Sequence, residues 1–265
     1  MHNNSQLKQN RLLPLLHWWF LSCLLLPATS TAQTSQDYLD LITDYTNKVD
    51  NIYDGAWSYT ITEEDTLKNA TTVRKIDPTQ PPLETDVLLS VNGQPPTASD
   101  IKEHQRKVKK RIQRRANIAN RRAPKSEEDK HRRWLEQPGN EKARFLAMLI
   151  PDSIAFVKQE GPLLHLQFKA HEEDREAMFE SLIGTLILDT EREFIKEVEI
   201  GNTAAFAPFI LSEIEEAYLD LHFDVINGAP MQTSMSWKLT GQAFIFKDLG
   251  GERQVVWSDF VKIKN

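Results

Sequence analysis

Histidine and carboxylate side chains are what hydrolytic and metal centres are most often built from, and this chain offers several near one another. His165 and His171 lie six residues apart, where Leu164, Leu166, Phe168 and Ala170 alternate with His165, Gln167, Lys169 and His171. On a strand the two imidazoles share the polar face but stand about 20 Å apart, too far for one coordination sphere. His171-Glu172-Glu173-Asp174 reads as an exposed turn, and so do Glu213, Glu215 and Glu216. No Gly-x-Ser-x-Gly, His-Glu-x-x-His or phosphate-binding loop occurs, and the isolated Gly250-Gly251 reads as a turn. A Ser/His/Asp triad needs no proximity in the chain, and no set of residues singles one out. The expectation is a protein that is not an enzyme, with no catalytic residues, no metal ligands and no cofactor.

Charge is the stronger signal. Residues 102–133 hold fourteen Lys or Arg against four acids, a local balance of +10 in a chain of formal net charge −6. With two further cations in the first 32 residues, the rest carries −18, so one basic segment sits on an acidic body. Clustered Lys and Arg are the footprint of nucleic-acid binding, but only Trp134 is there to stack on a base. The expected contact is instead an anionic lipid surface or an acidic protein, made through Arg111, Arg114, Arg115, Arg121 and Arg122, with no nucleic-acid partner.

The N-terminus argues against nucleic acid as well. Lys8 and Arg11 precede an apolar run over residues 12–26, and Ser30-Thr31-Ala32 places small residues where a signal peptidase reads. Fifteen residues are fewer than the ~20 needed to span a bilayer, and Pro27 closes the run. Residues 1–32 are therefore expected to be a cleaved export signal and the protein to be periplasmic. Cys23, the single cysteine, excludes an intramolecular disulfide. Lipid anchoring at Cys23 is not expected, because Phe20 stands where leucine is usual and apolar residues follow.

The elements that must carry these residues follow from periodicity. Tyr38, Leu41, Ile42, Tyr45 and Val49 recur at helical spacing. Trp57, Tyr59 and Ile61 alternate with polar residues as in a half-buried strand, and further strands are expected near 71–76 and 87–91. Ser99 is the expected cap of a basic helix with a thin apolar stripe through Ile101, Val108 and Ile112, ended by Pro124. A short helix at 126–135 and another at 141–150 complete an insertion at about 99–137 and its exit. Strands then follow one another at short spacing to the C-terminus, with Asn227-Gly228 as a hairpin signal.

About ten alternating strands without intervening helices make an antiparallel meander that buries one face and must curl. The expected fold class is α+β: a single highly curved antiparallel sheet, an incomplete barrel, wrapped around covering helices over residues 33–265. Trp57, Tyr59, Leu166, Phe168, Phe194, Leu221, Phe223 and Trp237 are its expected apolar lining.

This order of parts resembles the LolA/LolB-like superfamily of periplasmic lipoprotein-sorting proteins. The likeness rests on Trp57-Ser58-Tyr59-Thr60 and on Val87-Leu88-Leu89-Ser90-Val91-Asn92-Gly93-Gln94-Pro95-Pro96-Thr97. It continues through residues 179–189, which contain Gly184-Thr185-Leu186-Ile187-Leu188-Asp189, and the closing Trp257-Ser258-Asp259-Phe260. The resemblance implies a half-barrel whose helices cover an apolar cavity for a lipid or lipoprotein, and it assigns no individual residue. The basic insertion departs from that pattern. Two functions are thereby expected: shelter of a lipid acyl chain or lipoprotein in the cavity, or, with a filled interior, protein interaction and assembly through the basic arm.

Overall fold

The computed structural model describes residues 33–50, 56–119, 140–170, 182–207, 212–243 and 247–263. The expected signal with Cys23, Pro124, the short helix at 126–135, residues 171–174, Arg121 and Arg122 lie outside them, as does the side chain of Arg115.

The helix α1 (Ser35–Lys48) begins at a capping box. The Thr34 backbone N–H donates to Asp37 Oδ2 at 2.7 Å, and the Asp37 N–H donates to Thr34 Oγ1 at 3.2 Å. Its apolar stripe buries Tyr38, Ile42 and Tyr45. Three strands follow as hairpins: β1 (Trp57–Asp65), β2 (Ala70–Ile76) and β3 (Asp86–Val91). The helices α2 (Ala98–Ala119) and α3 (Glu141–Met148) lead to a seven-strand meander. Its strands are β4 (Ala155–Glu160), β5 (Leu163–Lys169), β6 (Leu182–Asp189), β7 (Phe194–Asn202), β8 (Ser212–Ile226), β9 (Ala229–Ala243) and β10 (Lys247–Lys262).

The meander returns so that β10 pairs with β1, giving one ten-stranded antiparallel sheet in the order β3-β2-β1-β10-β9-β8-β7-β6-β5-β4. The sheet is curved and stays open, with β3 and β4 as its two edges, so the fold is the α+β incomplete barrel expected. No helix among the described residues is long and apolar enough to cross a membrane.

Turn chemistry sets several connections. Asn227 and Gly228 have φ of +51° and +81°, the paired positive values a two-residue type I′ hairpin requires, and join Ile226 to Ala229. Gly250-Gly251, by contrast, does not turn the chain. Both residues lie within β10, paired with Thr240 and Leu239, and a Cβ on Gly251 would stand 2.6 Å from the Leu67 side chain. The pair allows close packing along a continuous strand. Glu213, Glu215 and Glu216 likewise belong to β8 rather than to a turn, with Glu213 opposite Gln242 and Glu216 opposite Thr240. Their acidity hides a strand whose partner is supplied by distant residues.

Two apolar clusters lie on the inner face. In the first, Tyr38, Ile42 and Tyr45 of α1 pack on Leu166, Phe168, Leu186, Leu188, Val198 and Ile200, with Phe145 and Met148 of α3 at the side. In the second, Trp57, Tyr59 and Ile61 of β1 pack with Met231, Val255 and Trp257 of the strands beside them. A bulge between Ile187 and Leu188 shifts the β6–β7 register, so Leu188 pairs with Ile195. Ile195 therefore enters the first cluster, while Phe194, though fully buried, joins neither cluster and lies under the Arg192 guanidinium at 4.7 Å.

Candidate functional site

The inner faces of β1, β2, β3 and β10 are apolar toward one end and charged toward the other. Register explains the change: Tyr59, Ile61, Glu63 and Asp65 follow one another on one face of β1, opposite Ile76, Arg74, Thr72 and Ala70 of β2. Arg74 pairs with Leu88, and Ile76 with Asp86, which brings Asp86 to the inner face at the sheet edge.

Asp86 is the hub of the charged end. Arg74 Nη1 donates to its Oδ2 at 2.8 Å and Arg111 Nη2, from α2, at 2.7 Å. His104 Nε2, also from α2, lies 2.9 Å from the Asp86 carbonyl oxygen and 3.1 Å from Oδ1. Both neighbours are acceptors, so Nε2 is a ring nitrogen that carries hydrogen. Burial pushes the Asp86 carboxyl up, but the His104 hydrogen bond and the Arg74 and Arg111 guanidinia outweigh it and hold the pKa at about 2. The network continues along the sheet. Arg253 bonds Asp65 Oδ2 at 2.9 Å and Glu63 Oε1 at 3.3 Å, lies 5.8 Å over the Trp237 ring, and Lys68 also pairs with Asp65.

This network ties α2 down as a cover. Val108 is buried beneath it and Arg111 is engaged with Asp86, so the first half of the basic insertion is part of the fold rather than a detached arm. Its start is held by Thr97, not Ser99: Asp100 N–H donates to Thr97 Oγ1 at 3.2 Å and Thr97 N–H to Asp100 Oδ2 at 2.9 Å. Thr97 lies one residue before the helix, where an N-cap belongs. Thr97→Ala is expected to cost about 1 kcal/mol. Urea denaturation measures this, and unchanged stability would mean that α2 is anchored by its side-chain contacts alone.

Beneath α2 a cavity of about 480 Å³ with a mixed wall remains, aromatic and aliphatic at one end and lined by Glu63, Arg74, Asp86, Arg111 and Arg253 at the other. Tyr59, Ile61, Ile76, Met235, Trp237, Val255 and Trp257 line it from the sheet, and Val108 and Ile112 from the helix. On the charged side of α2 a second cavity of about 570 Å³ adjoins it, sharing Glu63, Arg74 and Arg111.

Of the apolar lining read from the sequence, Tyr59 and Trp237 meet at the larger apolar cavity. Trp57 lies in the second cluster, its Nε1 donating to Asp50 Oδ2 at 3.1 Å. Leu166 and Phe168 are filled core under α1 and α3, and Leu221 and Phe223 border a space of only about 160 Å³ there. The expected lining is thus divided between a packed half and a hollow half. Arg111 and Arg114 both face the second cavity.

Sequence reading missed Arg74, Asp86, His104 and Arg253, because each is conspicuous only beside its partner. On the outer face it placed His165, but it did not bring Glu197 together with His222 and Asp220. There Glu197 pairs with His222, and Asp220 lies two residues along, so that donor atoms of the three fall within 4.8 Å of one another. His222 Nε2 and Asp220 Oδ2 are 2.8 Å apart, which satisfies both without an ion. Nearby, burial and the charges of Asp220 and Glu199 push the Tyr218 hydroxyl up to about 12. His165 is on the outer face too, 3.5 Å from Glu160.

The chain matches no protein-family model, no curated protein and no solved structure.

Proposed function

We propose that the protein shelters a lipid acyl chain, free or carried by a lipoprotein, in the apolar cavity under α2, without catalysing a reaction. The observation that carries this reading is the cavity of about 480 Å³ between α2 and an aromatic sheet face. That volume lies within the range of small-molecule sites, and the aromatic and aliphatic part of its wall would hold a chain by burial, at about 25 cal/mol per Å². Burial has no direction, so such a site tolerates chains of different length and branching.

The charged groups at the cavity suit holding rather than reacting. Asp86, Arg74, Arg111, His104, Glu63 and Arg253 bond one another, and a carboxyl with a pKa of about 2 is a weak base. The export signal read at residues 1–32 and the resemblance to lipoprotein-sorting half-barrels agree with this role, in the periplasm. No cofactor is needed for it.

Native mass spectrometry of the purified protein is expected to show co-purified lipid, and a fluorescent fatty-acyl probe should bind and be displaced by it. Met235→Trp, which fills the cavity from the sheet, should weaken probe binding at least tenfold. Absence of both lipid and probe binding in the wild type would overturn the reading and leave protein assembly, with the packed half under α1 and α3 as scaffold, as the better account.

A further inference from the structure

The two adjoining cavities differ in what their walls offer. The first has Trp237, Trp257 and Tyr59 in its wall, with Glu63, Arg74, Asp86, Arg111 and Arg253 engaged with one another at its charged end, whereas the other is lined by six Lys or Arg against four acids. Those four acids are already engaged. Asp65 pairs with Lys68 and Arg253, Glu63 with Arg74 and Arg253, Glu103 with Arg106, and Asp100 bonds Thr97. Arg74 and Arg111 are held by Asp86. Lys110 and Arg114 face the same space and have no carboxylate partner among the described residues. Arg114 lies four residues from Lys110 and three from Arg111 on the same helix, so the three place positive charge beside the point where the two cavities meet.

We propose that the two cavities form one bipartite site for a single anionic amphiphile. Its acyl chain occupies the apolar cavity, and its phosphate-bearing headgroup lies against Lys110 and Arg114. This deepens the proposed function and rests on it, naming the ligand as a phospholipid-like molecule. Guanidinium and ammonium groups suit a phosphate through charge-assisted hydrogen bonds, and Arg114 adds the planar fork that grips two of its oxygens. The apolar wall alone would not distinguish headgroups. Lys110 and Arg114, without a carboxylate partner among the described residues, supply that choice through their charge, which a neutral headgroup does not match.

The test uses residues 33–265 and, with the lipids below their micellar concentration, three probes. They are a lysophosphatidylglycerol, a monoacylglycerol with the same chain, and inorganic phosphate, each titrated calorimetrically at low and physiological salt. The lysophosphatidylglycerol should bind at least tenfold tighter than the monoacylglycerol, with the advantage shrinking as salt rises. Lys110→Gln with Arg114→Gln should abolish the advantage and leave monoacylglycerol binding unchanged, while Lys110→Arg with Arg114→Lys should retain it. Both residues are exposed, so the variants should melt like the wild type. Equal binding of the two lipids would overturn the headgroup site and leave the acyl-chain reading standing. Binding of phosphate as tight as that of the lysolipid would reduce the site to a free-anion site and overturn the bipartite proposal. Binding of neither lipid would overturn both.

Discussion

Asp86→Asn is expected to destabilise the protein by about 3 kcal/mol, the largest effect of any single change at the site. Removing one member of a buried ion cluster costs about 3–5 kcal/mol, because the partners left behind remain desolvated and uncompensated. The lower figure applies because Arg111 is half exposed and turns to water once released. Arg111→Gln should cost much less, about 1 kcal/mol, since Asp86 keeps Arg74 and His104. Amide exchange in α2 should accelerate in Asp86→Asn, as the helix loses two of its ties to the sheet edge.

The same network has a pH signature. The Asp86 carboxyl is depressed from 3.8 to about 2 in the folded protein, so the unfolded chain takes up a proton first as the solution is acidified. Its contribution, about 2 kcal/mol, is complete above pH 4 and is lost as the pH falls through 2. The stability gap between wild type and Asp86→Asn should therefore narrow between pH 4 and pH 2. A gap that stays constant across that range would show that the carboxylate charge is not what holds α2.

Gly184→Ala is expected to cost about 3 kcal/mol in the other half of the sheet. A Cβ there would stand 2.1, 2.3 and 2.6 Å from ring atoms of Phe168, the residue opposite it on β5. Phe168 is fully buried and meets Phe145 of α3 edge-on at 6.4 Å, so its ring cannot retreat without moving that helix. Overpacking of this kind costs about 1–3 kcal/mol, and the depth of the overlap sets it at the upper end. Phe168→Ala alone should cost about 3–5 kcal/mol through the cavity it leaves. Combined, the two changes should cost at least about 1 kcal/mol less than the separate losses added, because the new methyl enters the space the ring vacates. Guanidinium denaturation of the four proteins measures the coupling, and strict additivity would mean that the Gly184–Phe168 contact is not the cause.

Local pattern determined much of this protein. The alternation of Trp57, Tyr59 and Ile61 with polar neighbours is a property of residues two apart, and it produced β1 wherever that strand later paired. The helical recurrence of Tyr38, Ile42 and Tyr45 likewise specified the face of α1 that is buried. Asn227-Gly228 dictated a hairpin because few other residue pairs tolerate two positive φ values in succession. The α+β class followed, since a run of one-sided strands without crossover helices has to curl and be covered.

Pairing between distant segments was decided only in three dimensions. Nothing within residues 57–65 announces β10 as a partner, yet Trp57 faces Lys262 and Ile61 faces Trp257, and that junction builds the aromatic wall of the cavity. The Ile187/Leu188 bulge brought Ile195 into the first cluster beside a still fully buried Phe194, a one-residue slip invisible to a period of two. The basic insertion reads as a detached arm because its apolar stripe is thin. In the fold, Asp86 supplies the missing attraction, having looked in sequence like no more than the polar residue ahead of a strand. Charge pairing across 25 residues leaves no periodic trace, because Coulomb attraction depends on separation in space and not along the chain.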